Sequence, residues 1–357
     1  MKKTTTLRPS HNTVTQKQIA DELGVSRQLV SIVLNGGAYV SEEKRQRVQD
    51  AARRLGYDAH SNPEARAMIA RRYSRRSSTG LIGCVYLSWS ESAEAQLSYD
   101  THLLRGIQQT AKQLGRDLLL LDAAPSAGWE RVDGLLVHGP GARTLHDQLG
   151  VSIPIVSMMA SMPGISGVTA DDADGGRQAT DYLLKLGHRR IAYLLYTKVG
   201  VPSVQERLRG YQDALRAGGV TPRKSWIGEL VNYGSMQERG YRSMQDWLQS
   251  GWSKLGCTAL LVQNDRAAIG AMTALREAGI LVPQDLSVVG FDSTDECELT
   301  VPRLTSVQVP LEEIGARAAE LLISQIESDQ SVQPDAIVLP TRLQVRDSTA
   351  PPGRPEL

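Results

Sequence analysis

The sequence is poor in cysteine. Cys84, Cys257 and Cys297 are the only three in 357 residues, and no two of them form a CxxC pair. Their wide spacing argues against a disulfide framework and against a zinc site. It also fits a reducing compartment. We therefore expect a cytoplasmic protein without a metal centre.

Long apolar runs are missing too. No stretch approaches the ~18 consecutive apolar residues that indicate a membrane span. The basic start, Met1-Lys2-Lys3, is not followed by the apolar segment of a signal peptide, because Arg8 and Pro9 come directly after Leu7. We expect neither membrane insertion nor secretion.

Motifs of catalysis lack their structural context. The sequence shows no Ser–His–Asp set, HExxH, P-loop or GxGxxG in the surroundings that each of them needs. We therefore expect no enzyme activity and no cofactor. The alternative, a binding-protein body adapted to catalysis, requires a base or nucleophile in a cleft, and none is found.

Positive and negative charges nearly balance over the whole chain, but they are unevenly distributed along it. The formal net charge is +1. Residues 1–80 hold 15 Lys and Arg against 7 Asp and Glu, a net of +8, and residues 81–357 hold 25 against 32, a net of −7. This asymmetry suggests a nucleic-acid-binding segment joined to an acidic body. The alternative is a solvated basic tail.

Residues 1–57 favour the nucleic-acid interpretation, because they predict three short helices. Thr15-Gln16-Lys17-Gln18 has the form of a capping box, and Gly24 ends the first helix. Ser26 begins the second helix after a tight turn, and the third runs from Ser41 to Gly56. Two helices in this arrangement are typical of a helix-turn-helix, whose second helix enters the DNA major groove. A three-helix bundle that binds a protein is the alternative.

Motifs along most of the chain resemble one known family. The resemblance is carried by TVTQKQIADELGVSRQLVSIVLNGGAYVSEEKRQRVQDAARRLGY, RVDGLLV, LKLGHRRIAYL and NDRAAIGAMTALREAGILVPQDLSVVGFD. These segments are similar to the lac-repressor and Gal-repressor (LacI/GalR) family of bacterial transcription regulators. The resemblance implies an all-α helix-turn-helix headpiece and an α/β two-lobed body like a periplasmic binding protein. It further implies a repressor whose operator affinity is switched by a small molecule, a sugar or sugar derivative, bound between the lobes.

The resemblance places base contacts on the second helix. They fall on Arg27, Gln28 and Ser31, of which Arg suits guanine and Gln suits adenine. Ile32 stands where the lac repressor has a base-reading Arg. Its side chain offers only apolar contact, such as with a thymine methyl group.

Further DNA contacts are expected around this helix and in the linker, residues 58–80. Thr15 and the first helix N-terminus suit a phosphate, and Asn35 and Tyr39 match positions that meet the backbone or adjacent bases. Met68, in a segment resembling the family's hinge helix, matches the residue that wedges into the minor groove. The alternative is that Met68 packs on the headpiece and the Arg-rich linker is simply solvated.

Residues 81–347 alternate between predicted strands and helices. This pattern argues for parallel sheets covered on both faces, with ligands bound at the carboxyl ends of the strands. The length favours two lobes, one of residues 81–159 and 310–330 and the other of residues 160–309 and 331–347. We expect crossovers near 159–163, 309–311 and 328–332, and a disordered Pro-rich tail over 348–357. Only ten residues, 123–132, join the second and third strands, which leaves no room for the usual helix.

Effector contacts follow from the resemblance. Arg207 matches the family Arg that grips ligand hydroxyls or a carboxylate, and Asp292 and Asn264 match polar contacts at strand ends. Asp292 as a plain turn residue is the alternative, and Asp265 is expected to cap the following helix. The weaker candidates are Tyr99, Ser203 and Tyr233, and for Tyr99 and Tyr233 the alternative is plain packing.

Two positions suggest an unusual effector. Met159 stands where the lac repressor has a ligand-facing Asp, and Val309-Pro310 replaces the family's Gln-Pro. Both changes remove polarity, so the ligand is expected to be less hydroxylated or more apolar.

The expected partners are double-stranded DNA, a carbohydrate-like effector and a second copy of the chain, with no membrane. The C-terminal segment has no heptad repeat, which favours a homodimer on a pseudopalindromic operator. A DNA-architectural protein with a vestigial cleft is a further alternative. The presence of Arg207, Asn264 and Asp292 argues against it.

Overall fold

The computed structural model describes residues 14–34, 40–55, 57, 78–86, 97–121, 131–139, 145, 153–196, 201–328 and 333–353. The N-terminal part contains three helices, α1 (Gln16–Leu23), α2 (Arg27–Leu34) and α3 (Glu42–Leu55). Their shared core is made by the buried side chains of Ile19, Ala20, Val30, Val33, Val48, Ala51 and Ala52. This small apolar core holds the three helices together.

Three predicted helix boundaries of the headpiece are confirmed, at Thr15, Gly24 and Ser26. The hydroxyl of Thr15 accepts from the amide of Gln18, whose side chain accepts from the amide of Thr15, which completes the capping box. Gly24 follows α1 in the left-handed region, with φ 64°. The amide of Leu29 donates to the hydroxyl of Ser26 at 3.2 Å, so Ser26 caps α2.

The body is built from alternating strands and helices. Its strands are β1 (Leu81–Tyr86), β2 (Asp117–Leu121), β3 (Gly134–His138), β4 (Ile155–Met158), β5 (Ser166–Ala170), β6 (Ile191–Leu195), β7 (Ile227–Glu229), β8 (Ala259–Val262), β9 (Ser287–Asp292), β10 (Thr305–Gln308), β11 (Ala336–Leu339) and β12 (Arg342–Gln344). Its α-helices are α4 (Leu97–Gln113), α5 (Asp172–Lys185), α6 (Pro202–Ala217), α7 (Met236–Gln249), α8 (Trp252–Leu255), α9 (Asp265–Glu277) and α10 (Leu311–Glu327). Two 3₁₀ turns span Lys224–Trp226 and Asp295–Glu298.

The strands form two six-stranded sheets of matching topology. Lobe 1 has the order β2-β1-β3-β4-β5-β11, and lobe 2 has the order β7-β6-β8-β9-β10-β12. All neighbouring strands are parallel except β12, which runs antiparallel to β10. Strands β6, β8 and β9 are buried throughout, as expected for parallel strands covered on both faces.

The crossovers between lobes differ in part from the expected positions. Strand β5 returns to lobe 1 beside β4, so the first crossover follows Ala170 rather than residues 159–163. The second lies at 309–310, within the expected range. The third lies between β11 and β12, because β11 pairs with β5 of lobe 1 before the chain passes to lobe 2. The boundaries expected at 159/160 and 330/331 are therefore wrong, because residues 160–170 and 333–339 belong to lobe 1.

The expected disordered tail is wrong for residues 348–353. Ser348 is fully buried, its hydroxyl donates to the carbonyl of Val288 at 2.6 Å, and the amide of Thr305 donates back to it at 2.8 Å. The carbonyl of Ala350 contacts Nε2 of His188 at 2.9 Å. The hydroxyl of Ser348 thus completes hydrogen bonds at the amino ends of β9 and β10. Residues 354–357 and the short connection before Arg131 lie outside the described residues.

Helices α4 and α10 pack unusually closely on lobe 1. A Cβ at Gly106 of α4 would lie 1.9 Å from the carbonyl oxygen of Glu312, and one at Gly315 of α10 would lie 2.2 Å from that of Leu103. Glycine on both helices lets their backbones touch, so the pair behaves as one unit. No helix in the described part of the chain is long and apolar enough to cross a membrane.

Candidate functional site

The outer face of α2 is polar with one apolar exception. Arg27 and Gln28 are exposed and Ser31 is half-buried, whereas Val30 and Val33 on the opposite face are buried. Ile32 lies among the polar residues with 36% of its surface exposed. The helical period explains this division, because positions 27, 28, 31 and 32 fall on one side of the helix. The face predicted to read DNA is therefore free of the headpiece core.

The other predicted DNA contacts divide into two groups. Thr15 lies at the N-terminus of α1, where its hydroxyl already serves as the cap. Asn35, Tyr39 and Met68 lie outside the described residues. Helix α3 adds basic side chains to the headpiece, and one of them, Arg54, forms an ion pair with Glu22 of α1.

A buried charge cluster lies at the carboxyl ends of the strands of lobe 2. Its centre is Arg207 of α6, which is 6% exposed. The Arg207 Nε donates to Asp172 at 2.7 Å, one Nη donates to the carbonyl oxygen of Gln263 at 2.6 Å, and the other lies 3.5 Å from Asp292. The guanidinium also stacks over the ring of Phe291, 3.6 Å from its centroid.

Close helix packing fixes the position of Arg207. A Cβ at Gly210 would lie 1.9 Å from the carbonyl oxygen of Ala173, and one at Gly176 would lie 2.3 Å from that of Arg207 itself. Glycines on α5 and α6 thus bring the two helix backbones together. This contact places Asp172, at the start of α5, beside Arg207.

Burial perturbs the titration of these groups. Desolvation raises the pKa of Asp292 well above its usual value, although Arg207 opposes that shift, and it raises the pKa of Asp172 in the same way. Burial alone would lower the pKa of Arg207, but Asp172 and Asp292 raise it above its ordinary value. The guanidinium is therefore always charged, and it faces two carboxyl groups whose charged forms are disfavoured by burial.

Lobe 1 contributes aromatic side chains to the same region. Tyr99 of α4 is 8% exposed, and the charges of Asp292, Arg207 and Asp172 act on its hydroxyl. Desolvation raises the pKa of that hydroxyl first, and the two carboxylates add to the rise. His138, at the end of β3, packs edge-on against Tyr99 with ring centroids 5.9 Å apart. Desolvation lowers the pKa of His138 to about 4, so the imidazole is neutral near pH 7.

Direct contacts join the two lobes beside this cluster. The amide of Asp295 in lobe 2 donates to the hydroxyl of Ser98 on α4 at 3.0 Å. Nε2 of His102, one turn further along α4, lies 3.2 Å from the Asp295 carboxylate. The cluster therefore lies in a cleft whose walls come from both lobes.

Backbone strain is concentrated at the strand ends that face the cleft. Among the described residues, those other than glycine with positive φ are Met159 (64°), Asp292 (102°) and Ser293 (54°). They follow or end β4 and β9. Conformations of this kind cost of order 1–3 kcal/mol each and cluster at ligand-binding sites.

The cap of α9 is Asn264 rather than Asp265. The Asn264 side-chain oxygen accepts from the amide of Ala267 at 2.9 Å, so Asn264 caps α9. Asp265 accepts from the amide of Thr294 at 2.7 Å and from the hydroxyl of Ser306, and it is 1% exposed. The expectation that Asp265 is the cap is wrong, because its side chain points to the loop after β9 instead.

The weaker candidates are not all gathered at the cluster. Ser203 lies one turn before Arg207 on the same helix and is half-buried. Tyr233 is 56% exposed and lies beside Arg242, whose guanidinium is 5.5 Å from the ring centroid. In the described residues it has no contact with Arg207.

Comparison with known proteins agrees with this architecture. Residues 15–59 match the model of bacterial regulatory proteins of the lacI family, and residues 180–349 match a periplasmic binding protein-like domain. The HTH-type transcriptional regulator CelR of Thermobifida fusca is 31% identical over 350 residues, which cover 94% of this chain and 98% of that protein. The chain belongs to the lacI family of bacterial regulatory proteins.

Solved structures of the lacI family share the fold of this member. The complex of the transcriptional regulator CelR with cellobiose superposes with a TM-score of 0.67 at 26% identity, covering 94% of this chain and 99% of that one. The lac repressor dimer bound to operator and the anti-inducer ONPF gives a TM-score of 0.63 at 27% identity, covering 95% and 100%. This lacI-family member is therefore a DNA-binding transcription regulator with an effector-binding body, and its relatives are regulators rather than enzymes.

Three residues of the lacI-family cleft escaped the sequence analysis. Asp172, Gln263 and Phe291 all contact Arg207. Gln263 does so through its backbone, for which a sequence gives no signal. Phe291 is the one phenylalanine in the chain and directly precedes Asp292, a composition signal that could have drawn attention to it.

Proposed function

We propose that this chain represses transcription and that a sugar or sugar derivative, bound between the two lobes, changes its operator affinity. The supporting observation is the buried cluster of Arg207, Asp172 and Asp292, which faces Tyr99 of the other lobe. Carboxylates and a fixed guanidinium bind hydroxyl groups, and a tyrosine ring packs on the apolar face of a sugar. Such a pairing of polar and aromatic walls suits a polyhydroxylated ring.

The charge of the cluster favours a neutral effector. Arg207 is already paired with two buried carboxyl groups, so an anionic ligand would have to displace one of them to reach the guanidinium. The weaker of the two ion-pair contacts, 3.5 Å between Arg207 and Asp292, is the one that a ligand hydroxyl can replace at least cost. Sugar acids and phosphates are therefore expected to bind less well than neutral sugars.

Two apolar side chains near the cleft further restrict the class of effector that we expect. Met159 follows β4 and packs on the core, and Val309 in the second crossover is 3% exposed. We expect a glycoside with an apolar group, or a less hydroxylated sugar, rather than a free hexose, because neither side chain offers a hydrogen bond. CelR, whose complex with cellobiose shares this fold, supports a glycoside as the effector.

The switch works by population shift. An effector changes operator affinity only as far as it binds one lobe arrangement better than another. The contacts of Asp295 with Ser98 and His102 belong to one such arrangement. Asn264 and Ser203 complete the proposed effector site at its edges, with Tyr233 as an outlying contact.

We assign operator recognition to the headpiece. Arg27, Gln28, Ser31 and Ile32 read base edges from α2, and the N-terminus of α1 at Thr15 meets a phosphate. Asn35, Tyr39 and Met68 extend this contact, the last of them into the minor groove. We expect this regulator to bind chromosomal DNA in the cytoplasm and to act without catalysis.

An apolar groove on lobe 2 supports assembly as a homodimer. It has a volume of about 470 Å³ and is lined by Ile269 and Met272 of α9 together with exposed residues of neighbouring loops. Leu299 and Val301 on its rim are 81% and 92% exposed. Apolar patches of this kind mark interfaces, and the related lac repressor is a dimer on its operator. A second copy of the chain is the proposed occupant, and a monomeric Val301→Glu variant in sedimentation would support it.

The effector assignment is tested by ligand-dependent thermal unfolding of the full chain. A neutral hexose, a disaccharide, an alkyl glycoside and a sugar acid are compared at equal concentration. We expect the glycosides to raise the melting temperature most and to change the affinity for the chain's own operator. Tight binding of an ordinary hexose would contradict the apolar preference, and stabilisation by the sugar acid alone would contradict a neutral effector.

A further inference from the structure

The first residues of lobe 1 are held by a single carboxylate. Asp133 accepts from the amide of Thr79 at 2.8 Å, from its hydroxyl at 2.8 Å, from the hydroxyl of Ser78 at 2.6 Å and from the amide of Gly80 at 3.0 Å. Four donors within three consecutive residues converge on one side chain. These are the last residues of the linker that joins the headpiece to the body.

Arg116, the residue before β2, also contacts Asp133 and Ser78. One of its Nη atoms donates to Asp133 at 3.1 Å and to the hydroxyl of Ser78 at 2.7 Å. The Arg116 and Asp133 side chains are only 13% and 10% exposed. Burial opposes ionisation of Asp133, yet the hydrogen bonds from Ser78, Thr79 and Gly80 hold its pKa below the usual value. The carboxylate is therefore charged at neutral pH, and its bonds to the linker are of the stronger, charge-assisted kind.

The cluster around Asp133 lies at the opposite end of the lobe 1 strands from the effector cleft. Gly80, Arg116 and Asp133 directly precede β1, β2 and β3, which are neighbours in the sheet. The cluster thus lies at the amino ends of these parallel strands, and His138 and the effector cleft lie at the carboxyl ends. Five residues of β3 separate the two, a distance of roughly 17 Å along the strand.

A second connection runs through α10. Glu327, the last residue of this helix, accepts from Arg116 at 3.2 Å. The first turn of α10 follows the crossover from lobe 2, and the helix is fixed against α4, which carries Tyr99, by the glycine contacts described above. Arg116 therefore touches the linker end, the β3 entry and a helix that begins at the lobe crossover.

We propose that Asp133 and Arg116 are positioning residues for operator binding. They set the direction in which the linker leaves lobe 1 towards the DNA-binding helices. The proposal rests on the DNA-binding function of the family. If Thr79 and Gly80 lose their bonds to Asp133, the conformational entropy of these residues is lost only when the operator binds. That cost weakens specific binding. Non-specific binding depends on phosphate contacts of the headpiece and is left unchanged.

The test uses the full chain and the duplex that the wild-type chain selects from a random-sequence pool. Asp133→Asn removes the charge but keeps the shape, and Ser78→Ala combined with Thr79→Val removes linker donors while leaving the Asp133–Arg116 pair intact. Asp117→Asn is the matched control, because it removes an exposed carboxylate at the same sheet edge. We expect both test variants to bind the selected duplex about tenfold more weakly, with unchanged affinity for random DNA. Asp133→Asn also lowers the melting temperature, because Arg116 loses its buried charged partner, so all affinities are measured at a temperature at which every variant is folded.

Two further readouts separate positioning from a loss of folding. Hydrogen exchange at the amides of Thr79 and Gly80 should accelerate in Asp133→Asn and stay slow in Asp117→Asn. Combining Asp133→Asn with the Ser78/Thr79 changes should add no further loss of affinity. Wild-type operator affinity in the Ser78→Ala, Thr79→Val variant, or an equal loss on random DNA, overturns the proposal, and so does an equal loss in Asp117→Asn.

Discussion

The guanidinium of Arg207 lies 3.6 Å above the ring of Phe291, the one phenylalanine in the chain. The stacking fixes the plane of the guanidinium, and Asp172 and the carbonyl of Gln263 fix its direction within that plane. The ring itself is set by close packing, since a Cβ at Gly175 would lie 2.6 Å from its edge. The cleft is thus organised before a ligand arrives, which lowers the ordering cost of binding.

We expect stacking and hydrogen bonding at this pair to be coupled. Phe291→Leu should lower the free energy of unfolding by about 1–2 kcal/mol, from the lost cation–π contact and ring area. Arg207→Lys should cost more, because an ammonium cannot bond Asp172 and Gln263 in the same geometry. Urea unfolding of both single variants and the double variant measures the coupling. Strictly additive losses would show that the stacking contributes nothing of its own.

Ile32 is predicted to contact a thymine methyl group. Ile32→Ala should weaken binding to the selected operator by on the order of 1 kcal/mol per contact, the value of one buried methylene. Replacing individual thymines of that operator by uracil removes the same methyl from the DNA side. Fluorescence anisotropy should find one uracil position that weakens the wild-type chain but not Ile32→Ala. Equal sensitivity of the two proteins at every position would rule out the contact.

Gly176 is predicted to be essential for the placement of Arg207. A Cβ there would lie 2.3 Å from the Arg207 carbonyl oxygen, so Gly176→Ala must separate α5 from α6. Overpacking of this kind costs roughly 1–3 kcal/mol, and effector binding should weaken with it. Gly353→Ala adds the same methyl where the nearest atom is 3.9 Å away and serves as the control. Thermal unfolding and titration with the identified effector report the two effects, and equal behaviour of both variants would contradict the packing argument.

His138 is predicted to make stability depend on pH. Its folded-state pKa is lowered from 6.5 to about 4, so between these values the unfolded chain binds the proton more readily. This contribution to stability is present above pH 6.5 and is lost as pH falls towards 4. Urea unfolding at pH 7 and pH 5 should show a smaller loss for His138→Gln than for the wild-type chain.

Asp265 is predicted to change stability with pH in the direction opposite to His138. Burial raises its pKa from 3.8 to about 6, so its contribution to stability is present below pH 3.8 and is lost as pH rises through 6. Asp265→Asn should therefore lose more stability than the wild-type chain when pH falls from 7 to 5. The same pH response in His138→Gln and Asp265→Asn would show that one of the two assignments is wrong.

Much of this architecture was accessible from local sequence patterns. Thr15 and Ser26 cap their helices where the sequence places them, and Val30 and Val33 face the core as their spacing requires. Most strands of the body were visible as short apolar runs. Strand β5 was missed because its sequence, Ser-Gly-Val-Thr-Ala, has little apolar character, and the lobe boundary was misplaced with it.

The cleft was only partly accessible in the same way. Arg207 and Asp292 were identified through the family resemblance, but their partner Asp172 was not, because the first turn of a helix is an ordinary place for an aspartate. Asn264 was identified as a strand-end polar residue, but its role as the cap of α9 was assigned to Asp265 instead. The anchoring of Ser78 and Thr79 by Asp133 joins residues more than 50 positions apart, for which no local pattern exists.

The sequence by itself determined the helices of the headpiece, the alternating order of the body and the opposite charges of the two. These follow from the period of apolar residues, the capping side chains and the count of ionisable groups, all of which act over a few residues. Only the tertiary structure decided which sheet receives β5 and β11, which carboxylates face Arg207 and where the chain after Arg346 docks. Those outcomes depend on contacts such as that between Arg207 and Asp292, 85 residues apart, which form only when the strands have been ordered into sheets.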